Sequence, residues 1–226
     1  MPDYFSHCVC GEIIYEKLES KYRSKITSKT LYLLGAQGGD VFFAYNVKPT
    51  KTNLGRNMHA MNALDFFEKL KHGNPSYCAG FATHYALDCT LHPDIYAYEK
   101  TKRSPLAHMR FENDLGLFIS RKYNLRRQII PREKVLSCTY AVYDSVKLIE
   151  PKITVTGVER CLKRHFAYTR FLYRTKRTEY KCDYDFKNLS QAVEDAVDLG
   201  VIAVKCMLDK RADPDVFGKK FLQKLN

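Results

Sequence analysis

The 226-residue sequence predicts an all-α fold. Apolar residues recur at helical spacing in nearly every segment, and polar caps followed by proline mark helix starts at Asn74-Pro75 and Ser104-Pro105. Strand signals are nearly absent, since the run from Ile153 to Val155 is the only short β-branched stretch. We therefore expect helices packed on helices around one core.

The first elements are two helices and a glycine-rich turn. A helix is predicted over about 3–18, and a hydroxyl cap at Thr27 or Ser28 opens a short helix that ends at Gly35. The stretch that follows contains too much glycine for a helix, and such a backbone folds tightly enough to direct Asp40 inward. It is not a phosphate-binding loop, because the lysine and the hydroxyl residue of that motif are missing.

The middle of the chain carries two further predicted helices. One spans about 55–71 and includes His59. The next begins after the cap Asn74, and Pro93 is expected to end it because proline lacks a backbone donor and clashes with the preceding turn. His92 would then lie on the final turn of that helix.

The remaining predicted helices complete the chain. Ser104-Pro105 opens a helix with His108 and Glu112 in its early turns. Later helices are expected at about 132–149, 156–176, 189–209 and 214–225.

The composition is that of an ordinary soluble globular protein, with 45% hydrophobic and 27% charged residues. No segment approaches the roughly 18 uninterrupted apolar residues of a membrane span, and residues 1–10 lack the features of a signal peptide. The eight cysteines are scattered, which suits buried reduced thiols rather than a disulfide framework. We therefore expect a cytoplasmic protein.

The formal net charge of +12 is concentrated in the second half of the chain. The densest basic stretch, 160–181, interleaves arginine and lysine with phenylalanine and tyrosine. We interpret it as an amphipathic helix with a solvated basic side, and a lipid-binding or nucleic-acid-binding surface is the alternative. A surplus of this kind attracts anionic partners.

The spacing of histidine and carboxylate residues indicates a metal site. His84, Asp88 and His92 follow at successive i+4 steps and form one ridge on a helix, and His108 and Glu112 form a second such pair. Imidazole and carboxylate donors without thiolates favour zinc or a similar divalent ion. The alternative is that these are capping and surface groups.

Three further candidate ligands lie in segments whose helical faces could converge on the same site: His7, Asp40 and His59. His72 and His165 are left out. His72 lies near a helix C-terminus, where a cation suits the helix dipole, and His165 lies in the basic stretch. We expect a single domain over 1–226, with the metal centre built by 1–120 and a basic helical portion over 121–226.

The sequence resembles the zinc-dependent phospholipase C family. The members of this family have an all-α fold that holds three zinc ions, and the family is related to zinc-dependent single-strand nucleases. The matching features cover about the first half of the chain. They are His7, Gly39-Asp40, Met58-His59, the run from Gly80 to Asp88, Leu91-His92-Pro93 and His108-x-x-x-Glu112.

The resemblance implies that the protein binds two to three zinc ions and which residues hold each of them. One zinc is held by Asp40, His59, His84 and Asp88, a second by His92, His108 and Glu112, and a third by His7 with Asp88 as a bridge. The family also implies that Asp40 orients or deprotonates the attacking water.

The third zinc of secreted family members is completed by an N-terminal tryptophan exposed by processing, and this chain contains no tryptophan. Removal of Met1 would expose the amine of Pro2 five residues before His7 as a substitute chelating group.

The resemblance implies a zinc-dependent hydrolase of phosphate esters, with a phospholipid or a soluble phosphodiester as its substrate. Two alternatives stay open. One is a zinc-dependent nuclease acting on single strands, which the basic second half would serve. The other is a non-catalytic helical domain whose zinc supports folding.

Overall fold

The computed structural model describes residues 4–45, 53–104, 106–126, 129–174 and 178–221. Twelve α-helices and two short 3₁₀ helices lie within these ranges, which confirms the all-α prediction. The α-helices are α1 (Tyr4–Lys17), α2 (Ser20–Arg23), α3 (Lys29–Gly35), α4 (Leu54–Ala60), α5 (Ala63–Leu70), α6 (Pro75–Lys100), α7 (Ala107–Lys122), α8 (Arg132–Ser137), α9 (Thr139–Val146), α10 (Val155–Arg174), α11 (Ser190–Leu208) and α12 (Pro214–Phe217). The 3₁₀ helices are Gly38–Ala44 and Phe186–Leu189.

Helix α6 is the central element of the fold. It packs against α1, α3, α7 and α11, so most of its first five turns are buried. The close contact with α3 depends on glycine, because a Cβ atom on Gly80 would lie 1.9 Å from the carbonyl oxygen of Tyr32. The backbones of α3 and α6 can approach this closely only without a side chain at that position.

Helix starts largely follow the caps visible in the sequence. The Ser28 hydroxyl accepts a hydrogen bond from the Leu31 amide, and the Asn74 side chain accepts one from the Ser76 amide. Both contacts satisfy amide donors of a first helical turn that have no partner within the helix. The run from Ile153 to Val155 forms no strand. It leads into α10, where the Thr154 hydroxyl accepts from the Gly157 amide.

Two predicted helices are wrong as single elements. The helix expected over 55–71 is divided into α4 and α5, because the Asn62 side chain accepts from the Asp65 amide and starts a new helix. The helix expected over 132–149 is divided into α8 and α9 at Cys138. The glycine-rich stretch was expected to be non-helical throughout, yet the 3₁₀ helix Gly38–Ala44 begins inside it.

The prediction that Pro93 ends its helix is also wrong. Helix α6 continues through Pro93 to Lys100, so His92 lies well inside it. Proline lacks a backbone donor and its ring crowds the preceding turn, and the burial of Ile95 in the turn that follows offsets this cost. The last predicted helix is shorter than expected, because α12 covers Pro214–Phe217 and residues 222–225 lie outside the described ranges.

One apolar cluster runs through the described part of the chain from Val9 to Phe221. Seven of the eight cysteines are buried, as expected for small apolar side chains. Across the described ranges, no helix combines the length and the apolar character needed to cross a membrane.

The first part of the basic stretch, 160–174, forms an amphipathic helix as predicted, whereas residues 178–181 at its end are not helical. Helix α10 buries Val158 and Leu162 and exposes Arg160, Lys163 and Arg170 to solvent. Residues 175–177 of the stretch lie outside the described ranges.

Candidate metal centre

Five elements bring the eight predicted ligands into one buried region. Helix α6 lies between the others and supplies three of the ligands at i+4 spacing, as the sequence pattern predicts. The contributions are His7 from α1, Asp40 from the 3₁₀ helix, His59 from α4, His84, Asp88 and His92 from α6, and His108 and Glu112 from α7.

Two glycines allow the 3₁₀ helix to lie against the histidine rings. Gly38 has a φ angle of +52°, and a Cβ atom at that position would lie 2.1 Å from Cδ2 of His84. A Cβ atom on Gly39 would lie 2.7 Å from Cε1 of His59. The Asp40 carboxylate can therefore reach the site only because Gly38 and Gly39 have no side chains that would overlap these rings.

The first potential metal site, which we call the His59 group, consists of His59, His84 and Asp88. Nε2 of His84 lies 3.1 Å from Nε2 of His59 and 3.2 Å from Oδ2 of Asp88. Nε2 of His59 lies 3.3 Å from Oδ2 of Asp88. Tetrahedral zinc with bonds of about 2.0–2.1 Å holds its ligand atoms roughly 3.3 Å apart. Oδ1 of Asp40 lies 3.3 Å from Nε2 of His59 and is placed to complete this group.

The second potential site, the His7 group, consists of His7, Asp40 and His84, whose ligand atoms lie within 4.8 Å of one another. Nε2 of His7 is 3.7 Å from Oδ2 of Asp40 and 3.6 Å from Oδ1 of Asp88. Nδ1 of His7 is 3.3 Å from Nδ1 of His84. The His7 and His59 groups therefore share His84, and the carboxylates of Asp40 and Asp88 lie between the two groups.

The third potential site, the His108 group, consists of His92, His108 and Glu112. Oε1 of Glu112 lies 3.0 Å from Nε2 of His108 and 3.8 Å from Nε2 of His92. Nδ1 of His108 is 3.1 Å from a carboxylate oxygen of Glu99. A carboxylate in that position fixes the orientation of a ligating ring and raises its basicity.

A cavity of about 20 Å³ connects these groups. Its lining includes members of each group: His7 of the His7 group, Asp88 of the His59 group, and His92 and Glu112 of the His108 group. A space of this size holds about one water molecule or one ion.

Unpartnered carboxylate oxygens show that the donor set fits divalent metal ions. Both carboxylate oxygens of Asp40 and Oε2 of Glu112 are buried and have no hydrogen-bond partner among the described residues. Burying an ionised oxygen without a partner costs several kcal/mol, about the penalty that a bound cation removes. The mixture of imidazole and carboxylate donors suits zinc.

The two aspartates of the centre have opposite protonation preferences. Burial raises the pKa of Asp40 above its usual range, against the opposing charge of the nearby His59. Burial acts in the same direction at Asp88, but the imidazoles of His84 and His92 more than offset it and lower the pKa of Asp88. Asp40 therefore takes up a proton more readily than Asp88 does.

Of the two histidines left out of the predicted site, His72 is exposed. His165 is partly buried, and its Nε2 atom is buried and has no hydrogen-bond partner among the described residues. Its ring centroid lies 5.5 Å from that of Tyr4, one turn before His7. The arginines and lysines around this residue suggest a solvent-exposed helix face. The sign of burial in the sequence is its spacing from Cys161, Leu162 and Thr169, which are buried and lie on the same side of the helix. The amine of Pro2, which the sequence analysis offers as a chelating group for the third zinc, lies outside the described ranges.

Of the comparisons with known proteins, the family match agrees with the geometry. A search of curated proteins and a search of solved structures found no match. The family profile for zinc dependent phospholipase C matches residues 6–167, well over half of the chain, and this range contains all eight predicted ligands. The chain therefore belongs to the zinc-dependent phospholipase C family.

Proposed function

We propose that this protein is a zinc-dependent phosphoesterase that hydrolyses phospholipids in the manner of a phospholipase C. The observation that carries the proposal is the junction of the His59 and His7 groups, where imidazole nitrogens and carboxylate oxygens lie 3.1–3.3 Å apart and two carboxylate oxygens have no partner. A purely structural zinc site is closed by four ligands, whereas adjoining groups that share ligands are typical of hydrolytic centres.

The ligand sets that we propose differ from the three groups at two points: Asp40 joins the His59 group, and Asp88 replaces Asp40 and His84 as the partner of His7. Asp40, His59, His84 and Asp88 would hold one zinc, His92, His108 and Glu112 a second, and His7 with Asp88 a third. When bound, zinc supplies Lewis acidity toward the phosphoryl oxygens and lowers the pKa of water toward neutrality.

Within this centre Asp40 is the candidate general base. Both of its carboxylate oxygens are buried, and the oxygen that does not bind zinc would accept the proton that an attacking water loses. In the overall reaction water adds to phosphorus and the phosphorus–oxygen bond to the glycerol breaks. The proton passes to the departing alkoxide, so the products are diacylglycerol and a phosphorylated headgroup.

Tyr96 lies at the edge of the site and can bind the phosphoryl oxygens. Its ring centroid is 5.4 Å from that of His92 and 5.6 Å from that of His108. Burial raises its pKa to about 12, so the phenol stays protonated and can donate a hydrogen bond.

The substitution Asp88→Asn tests the proposal. Asparagine keeps the shape of the side chain but removes the charge that balances four imidazoles, so we expect hydrolysis of phosphatidylcholine vesicles by the zinc-loaded protein to fall by at least about 100-fold. Diacylglycerol release measures this, and a single-stranded oligonucleotide serves as the competing substrate. The exposed Asp144→Asn is the matched control and should retain full activity.

Two results would contradict the proposal. Cleavage of the oligonucleotide without release of diacylglycerol would identify a nuclease. A zinc-loaded wild-type protein that cleaves neither substrate, with an Asp88→Asn variant that loses mainly thermal stability, would identify a non-catalytic zinc site.

A further inference from the structure

Helix α10 lies beside the metal centre and contacts two of the elements that carry its ligands. The Arg164 guanidinium donates a hydrogen bond of 3.2 Å to the carbonyl of Ala44, the last residue of the 3₁₀ helix that supplies one carboxylate to the centre. One turn later, the Tyr168 hydroxyl lies 3.9 Å from the sulfur of Met109, which directly follows His108 on α7. The helix therefore passes along the centre from the first 3₁₀ helix to α7.

The end of α10 is anchored on α1 and leaves two aromatic side chains exposed. Leu172 packs against Tyr4 and Phe5 of α1. The residues on either side of it, Phe171 and Tyr173, are 65% and 46% exposed. Single exposed apolar side chains are common on any surface, but exposed aromatic rings that occur together are typical of an interaction site.

The same side of α10 is positively charged. The helix carries five arginine and lysine residues and one acidic residue, Glu159, which pairs with Lys163 at 2.7 Å. Arg160, Arg164 and Phe171 are exposed, and their spacing of four, seven and eleven residues places them on one side of the helix. A helix with a basic exposed side and aromatic residues at its edge is typical of peripheral membrane binding.

The metal centre opens to solvent next to this surface. The side chain of His108 is 23% exposed, whereas those of the other seven candidate ligands are at most 8% exposed. Two residues before His108, Leu106 is 45% exposed at the start of α7. An aliphatic side chain can enter the acyl region of a membrane but offers no ring on which a nucleic-acid base could stack, so Leu106 favours lipid over nucleic acid.

We infer that the α10 surface, which consists of Leu106, Arg160, Arg164, Phe171 and Tyr173, binds membranes that contain anionic phospholipid. The apolar and aromatic side chains enter the boundary between headgroups and acyl chains, and the arginines contact lipid phosphates. Binding in this way brings the opening of the metal centre to the membrane. Only this last step rests on the proposed function, because membrane binding is measured separately from hydrolysis.

Sedimentation with sucrose-loaded vesicles tests the inference. We expect the zinc-loaded protein to bind vesicles of phosphatidylcholine with about 30% phosphatidylglycerol at least about 10-fold more tightly than vesicles of phosphatidylcholine alone, because the basic side of α10 is attracted to anionic lipid. A salt concentration of about 0.5 M should reduce this difference by screening. Equal binding to both kinds of vesicle, or binding to neither, would overturn the inference.

Two exposed positions on α10 locate the binding surface. Phe171→Ala should weaken binding to the mixed vesicles roughly 10-fold by removing apolar contact with the membrane, and Arg160→Gln should weaken it about 5-fold. The matched controls are Ile202→Ala, at an exposed apolar position on α11, and Lys187→Gln, at an exposed lysine of the second 3₁₀ helix. Both controls should bind as wild type does. Equal losses in the α10 variants and in the controls would overturn the inference.

A single-stranded oligonucleotide is the competing partner in the same assay. If Phe171→Ala and Arg160→Gln reduce binding of the oligonucleotide and leave vesicle binding unchanged, the surface binds nucleic acid and the inference is overturned.

Hydrolysis of monomeric dihexanoyl phosphatidylcholine separates the α10 surface from the proposed function. Phe171→Ala should cleave this soluble substrate at the wild-type rate, which also shows that the variant is folded, and should cleave vesicles about 10-fold more slowly. A wild-type protein that cleaves neither substrate but binds mixed vesicles through Phe171 removes the proposed function only. Wild type and Phe171→Ala that cleave and bind vesicles equally well remove the α10 surface only.

Discussion

At the scale of single residues, the protonation of His108 depends on two carboxylates. Burial alone would lower its pKa, but the hydrogen bonds and charges of Glu112 and Glu99 more than offset this and raise the pKa to about 9. The unfolded value is about 6.5. The charged ring therefore stabilises the metal-free fold fully below about pH 6.5, and this contribution is lost as the pH rises through 9.

We expect Glu99→Gln to reduce this pH dependence. The variant removes one of the two charges that hold the proton on His108, so the loss of stability between pH 6.5 and 9.5 should be smaller than in wild type. Urea unfolding of the metal-free proteins at the two pH values measures the difference. The exposed Glu133→Gln is the control. The explanation fails if the Glu99 and Glu133 variants lose stability equally with rising pH.

The arrangement of the candidate ligands was largely predictable at this scale, and the burial of the His165 Nε2 atom was not. The i+4 spacing of His84, Asp88 and His92 is a local property of one helix, and the helix places all three on the site as expected. The position of the partly buried His165 ring depends on α1 and the 3₁₀ helix, which are more than 100 residues away in the chain. No local pattern records that contact.

At the scale of elements, the contact between α3 and α6 positions Asp40 relative to His84. A Cβ atom on Gly80 would lie 1.9 Å from the carbonyl oxygen of Tyr32 and 2.8 Å from the amide of Ala36. Both are backbone atoms, so no side-chain rotation relieves the overlap. Because α3 leads directly into the 3₁₀ helix with Asp40, a displacement of α3 also moves that carboxylate.

We expect Gly80→Ala to destabilise the fold by about 1–3 kcal/mol net. Alanine gains about 1 kcal/mol in helix propensity, but the cost of overpacking against backbone is larger. Zinc affinity should fall as well, and urea unfolding with a competitive zinc titration measures both effects. Gly11→Ala is the control, since its Cβ atom would meet only side-chain atoms, the nearest at 3.3 Å. Equal stability of the two variants would show that α3 tolerates the displacement.

The errors in the predicted elements have two physical origins. Pro93 carries a local cost that the sequence displays, but the burial that keeps α6 helical beyond it comes from neighbouring helices. The division between α4 and α5 is different, because Asn62 is a recognisable cap that the apolar spacing on either side concealed.

At the scale of the whole molecule, residues far beyond the family match support the metal centre. Helix α11 packs along α6, and Phe217 and Phe221 stack on Phe67 with centroids 4.2 Å and 5.7 Å away. The ring of Phe221 also lies 6.1 Å from that of His59. These contacts favour the predicted single domain over 1–226, which stays a prediction together with the cytoplasmic location.

Because the ligands come from five elements, metal binding should stabilise the whole fold. A ligand that binds only the folded state contributes about 2.7 kcal/mol at a concentration of 100 Kd. For a chain of this size each kcal/mol raises Tm by about 2–4 °C, so we expect zinc to raise the Tm of metal-free protein by roughly 5–11 °C per occupied site. Differential scanning calorimetry with zinc and with magnesium measures this. Magnesium should have little effect, because it prefers an octahedron of oxygen ligands and the centre offers mainly imidazole nitrogen. Asp88→Asn should lose most of the zinc effect, since Asp88 lies within reach of both the His7 and the His59 groups. An equal shift with both metals, or none with zinc, would mean that the three groups do not act as a zinc centre.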